Sequence, residues 1–107
     1  MSTTSEPQAL ACHLGAMTSQ QRERYVTIST QLRQTVRQVE ELPDGFAFRY
    51  EADPALFLLA AEFITLESKC CSFYLFRLEQ EPHAGSIWLR VTGPEGTKSF
   101  IKPVLAP

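Results

Sequence analysis

The chain has 107 residues, enough for one domain and too few for two of ordinary size. Hydrophobic residues make up 44% and charged residues 21%, the balance of an ordinary globular protein, which argues against disorder, collagen-like repeats and a membrane span. With 10 Lys and Arg against 12 Asp and Glu the formal charge is −2, so no broad cationic surface is available for nucleic acid.

Met1 to Gln8 is polar, lacks Lys and Arg, and precedes no apolar stretch long enough for a signal peptide, so it is expected to be a flexible arm before a single domain over 9–107. A cytoplasmic location is the corresponding expectation. In that compartment three cysteines, an odd number, are expected to be free thiols. Leu10, Cys12 and Leu14 alternate with Ala11 and His13 as in a short half-buried strand, which turns Cys12 inward and His13 outward.

Thr18 and Gln21 have the spacing of a capping box, and the stripe Tyr25, Ile28, Leu32, Val36, Val39 predicts one long helix to about Glu41, ended by the turn Pro43-Asp44-Gly45. Phe46, Phe48 and Tyr50 alternate with smaller or polar residues and predict a strand with an aromatic face. Asp53-Pro54 offers an N-cap with proline at the first helical position, opening a second helix to about Lys69. The stretches 73–79 and 87–91 read as two strands of an antiparallel hairpin across Glu81 to Gly85. A short terminal helix from Lys98 to Ile101 is expected to stop before Pro103.

This order predicts an α+β, two-layer fold. A mixed or antiparallel sheet of about four strands is covered by two main helices, with a C-terminal hairpin and short helix. The strand from Phe73 to Leu78 is apolar on both faces, which suggests either a central strand or the interface of a homodimer.

On the second helix, at about 100° per residue, Leu56, Phe57, Leu59, Ala60, Phe63, Ile64 and Leu66 share one side, and Glu67 falls among them. A carboxylate on a core face needs a partner. Cys70 and Cys71 follow at the two spacings, three and four, that place side chains beside Glu67, and the inward Cys12 completes a set of three sulfurs and one carboxylate. Thiolates are polarizable donors favoured by soft ions, so Cys12, Glu67, Cys70 and Cys71 are the candidate ligands of zinc, copper(I), mercury(II) or arsenite. Two adjacent helical cysteines converge on one ion only where the helix ends between them.

Two other interpretations stand beside metal binding. The cysteines can be core residues of a metal-free interaction module, with Glu67 hydrogen bonded to Tyr25, Tyr50, an Arg or a backbone amide. Alternatively the chain is a thiol oxidoreductase. Against that, the thiols sit at a helix C-terminus beside an anion, where both influences raise their pKa. A bound cation reverses this balance by deprotonating them. The balance leans away from an enzyme, since no nucleophile elbow, P-loop, dinucleotide fingerprint or His-Glu-x-x-His element is present.

Cys12 in Leu-Ala-Cys-His-Leu, Leu42-Pro-Asp-Gly-Phe-Ala-Phe48, Glu67-Ser-Lys-Cys-Cys-Ser-Phe73 and Leu89-Arg-Val-Thr-Gly-Pro-Glu-Gly96 together resemble a small uncharacterised bacterial family, over residues 10 to 101. The Glu-x-x-Cys-Cys-x-Phe element is the most specific part, although Ser72 stands where the family pattern has proline. The resemblance implies an association with heavy-metal response, soft-metal handling through Cys12, Glu67, Cys70 and Cys71, and a protein partner in that response.

Overall fold

A computed structural model describes residues 12–106. It is an α+β fold with a four-stranded antiparallel sheet and three α-helices. A single 3-10 turn, Leu14–Ala16, precedes α1 (Ser19–Thr35); β1 (Gln38–Leu42) and β2 (Gly45–Tyr50) form a hairpin; α2 (Pro54–Cys70) follows; β3 (Leu75–Gln80) and β4 (Ile87–Thr92) form a second hairpin; and α3 (Lys98–Leu105) closes the chain. The strand order is β1-β2-β4-β3.

The capping box forms as the spacing predicts: the Gln21 amide donates to the Thr18 hydroxyl at 3.1 Å, and the Thr18 amide donates to the Gln21 side chain at 2.9 Å. The long helix, however, stops at Thr35. Val36 is extended, and 38–42 pairs as a strand, Val39 opposite Phe48 and Leu42 opposite Gly45, so Pro43-Asp44 is a hairpin turn rather than a helix terminator. Gln and Glu favour helix only weakly, and the ladder with β2 overrides them. Val39 is accordingly on an exposed strand and not on the helix stripe. Leu14 opens a 3-10 turn instead of continuing a strand, while Leu10 and Ala11 lie outside the described residues.

Phe46, Phe48 and Tyr50 of β2 stand opposite Val91, Leu89 and Ile87 of β4, and all six are buried. They face Ile28 and Leu32 of α1, Ala60, Phe63 and Leu66 of α2, and Ile101 and Leu105 of α3, which together make one core. The other face is polar, with Arg90 over the Trp88 ring and paired with Glu79. The strand β3 lies at the sheet edge, so its two-sided apolar pattern is not that of a sandwiched central strand; Leu75 is exposed. The terminal helix runs through Pro103 to Leu105. Proline removes one amide there, and the carbonyl it frees belongs to exposed Ser99, where water can satisfy it. Among the described residues no helix is long and apolar enough to cross a membrane.

Candidate functional site

The last turn of α2 builds the site. Asp53 caps the helix start by accepting from the Ala55 amide at 2.9 Å, and Pro54 fixes the first turn, which sets the phase that turns Glu67 and Cys70 inward. Glu67 and Cys70 are 2% and 1% exposed, so two polar side chains lie in the core three residues apart. The helix ends at Cys70. Cys71 leaves helical geometry while its amide still donates to the Glu67 carbonyl at 2.8 Å. This break falls between the two cysteines and brings Cys70 Sγ to 3.4 Å from Cys71 Sγ. Ser72 sits in the exposed turn that follows.

Cys12 reaches the same place because the His13 amide donates to the Cys70 carbonyl at 2.7 Å, docking the N-terminal segment on the helix end. Cys12 and Cys71 are joined in a disulfide, and Cys70 is the free, buried thiol. The expectation of three free thiols is thereby corrected. An argument from compartment and odd count carries no information about which sulfurs meet in space, and two of the three meet at bonding distance. The inward turn of Cys12 and the exposure of His13 agree with the alternation in sequence.

The four predicted residues therefore share one site: one carboxylate oxygen of Glu67 and the sulfurs of Cys70 and Cys71 lie within 4.8 Å of one another, and Cys12 joins through its bond to Cys71. Cys70 Sγ donates to Glu67 Oε1 at 3.5 Å. Burial raises the pKa of Glu67, and the facing Tyr25 hydroxyl and Cys70 thiol only partly oppose it. Burial, followed by the charge of Glu67, pushes the Cys70 thiol up to about 12. Tyr25 and Tyr74 are also raised, chiefly by burial and then by the charge of Glu67. Burial thus disfavours the charged form at each of these groups.

An apolar cavity of about 330 Å³ lies against the sulfurs and Glu67, walled by Tyr25, Tyr74, Phe100 and Val104. The α3 wall exists because the helix continues through Pro103, where the sequence predicts a stop. The apolar run Phe100, Ile101, Val104, Leu105, at helical spacing across the proline, is the signal that reveals it. No family model matches this chain, and neither a curated protein nor a solved structure is significantly similar to it.

Proposed function

We propose that this protein binds a thiophilic metal or metalloid ion through Cys12, Cys70 and Cys71 once the disulfide is reduced, with Glu67 as a fourth donor or as acceptor of a thiol proton. The observation that carries the proposal is the 3.4 Å contact between Cys70 and Cys71 sulfurs beside a buried carboxylate. Four ligands arranged tetrahedrally at zinc–sulfur distance place sulfurs about 3.8 Å apart, so a small outward movement of the side chains admits an ion. Electrostatics supports binding over thiol catalysis. A nucleophilic cysteine needs a depressed pKa, whereas Cys70 is raised by burial and by Glu67. The same negative surroundings that penalise a free thiolate attract a cation. The resemblance of the Glu-x-x-Cys-Cys-x-Phe element to a family associated with heavy-metal response points the same way.

Native mass spectrometry tests it. Protein reduced and freed of reductant is mixed with zinc, copper(I), mercury(II) or arsenite, and one ion per chain is expected for at least one of them. The oxidised protein, with two sulfurs tied to each other, is expected to bind at least tenfold more weakly, since about two of three soft donors are lost. Only ligand-free protein across the panel after verified reduction contradicts the proposal.

A further inference from the structure

Cys70 and Cys71 are buried and Cys12 is half-buried. They open to a chamber whose walls are hydrocarbon: the Phe100 ring, Pro103 and Val104 on one side, Tyr25 and Tyr74 on the other. A bare hydrated ion gains nothing from such walls. Within them one polar group stands unused: the Tyr74 hydroxyl is buried and has no hydrogen-bond partner. A cavity of roughly 150 Å³ suffices for a benzene ring, and this one is about 330 Å³, enough for a small ring with a heavy atom attached.

We infer that the ligand is a thiophilic centre carrying one small organic group, an aryl or alkyl species of arsenic(III) or mercury(II). Its soft atom bonds to the sulfurs and its organic group packs against Phe100 and Val104. The inference rests on the soft-ligand function proposed above and names its ligand class. For arsenic, two thiols each form an As–S bond as two As–O bonds break, the thiol protons leave with the two hydroxides as water, and arsenic stays at +III. For mercury, one Hg–S bond forms as the bond to a halide or hydroxide breaks, the proton leaves with that group, and mercury stays at +II. Cys71 becomes available when a dithiol reductant gives two electrons to the Cys12–Cys71 bond and is itself oxidised to a disulfide.

The test compares ligands that share a headgroup and differ only in the organic part. Reduced full-length protein is titrated with methyl and phenyl arsenic(III) hydroxides, with methyl- and phenylmercury chloride, and with arsenite, each in competition with a small dithiol. Phenyl is expected to bind roughly tenfold tighter than methyl, because the larger group removes more apolar surface from water. Ser99→Trp adds bulk at the chamber from an exposed position, where folding is readily checked by circular dichroism. It is expected to bring the phenyl-to-methyl ratio close to one while leaving arsenite binding unchanged. A preference confined to one headgroup identifies that element as the ligand's. Equal methyl and phenyl affinities, or a preference that Ser99→Trp leaves intact, overturn the inference while arsenite binding preserves the broader function. Failure of all five ligands overturns the inference, and the broader function falls with it when zinc, copper(I) and mercury(II) also fail to bind.

Discussion

Glu67 and Cys70 share a small buried space in which burial disfavours the charged form of each. For Glu67 the folded pKa lies above the ordinary 4.5, so the native state keeps a proton that the unfolded chain releases. Its contribution to stability is complete below pH 4.5 and is lost as pH rises through the raised value. Glu67→Gln keeps the shape without the charge. Urea denaturation is expected to place this variant within about 1 kcal/mol of the parent near pH 4 and to show it gaining on the parent as pH rises. A loss of about 1 to 3 kcal/mol at every pH would instead make the carboxylate a structural acceptor. Cys70 follows the same sign at higher pH: the stability it contributes is present below 9 and falls as pH approaches about 12. Alkylation of Cys70 in the metal-free protein is expected to be slow at pH 7 and to accelerate only in strongly alkaline solution. A fast thiol at pH 7 would favour redox catalysis.

At the scale of elements, the parts with strong local chemistry were legible in the sequence and the parts decided by pairing were not. Asp53-Pro54 opens α2 and the helix ends within one residue of Lys69; the Thr18 box opens α1; the 81–86 turn joins β3 to β4. The end of α1 was hidden because Gln38 to Leu42 carries residues acceptable in a helix, and only its pairing with β2 makes it a strand. The three sulfurs were legible as a group through the three-residue and four-residue spacing from Glu67, but their bonding was not, since the approach of Cys12 depends on a backbone contact between His13 and Cys70. The hairpin turn also has a steric requirement. A Cβ on Gly45 would lie 2.8 Å from the Thr92 Cα, against backbone that cannot swing aside. Gly45→Ala is expected to destabilise the fold by about 2 kcal/mol or more in chemical denaturation. Asp53→Ala, which removes only a cap on an exposed turn, is expected to cost about 1 kcal/mol.

Across the whole molecule, the Cys12–Cys71 bond links residues 59 apart and so fastens the start of the described chain to the end of α2. Closing a loop of that length restricts the unfolded chain by about 4 kcal/mol in the chain-entropy description. Reduction in the absence of metal is expected to lower unfolding stability by about 2 to 4 kcal/mol, measured by denaturation with and without a phosphine reductant. A bound ion then restores part of it, by an amount that grows with free ion over its dissociation constant. On this account the oxidised state and the reduced, ion-loaded state are alternative ways of holding the same two segments together, one covalent and one coordinate. The convergence of three sulfurs on one centre is the central claim, and X-ray absorption spectroscopy of the reduced, ion-loaded protein counts those sulfurs directly. Three sulfur scatterers around the ion, falling to two in Cys70→Ser, is the result predicted; a shell of oxygen and nitrogen with one sulfur or none contradicts it.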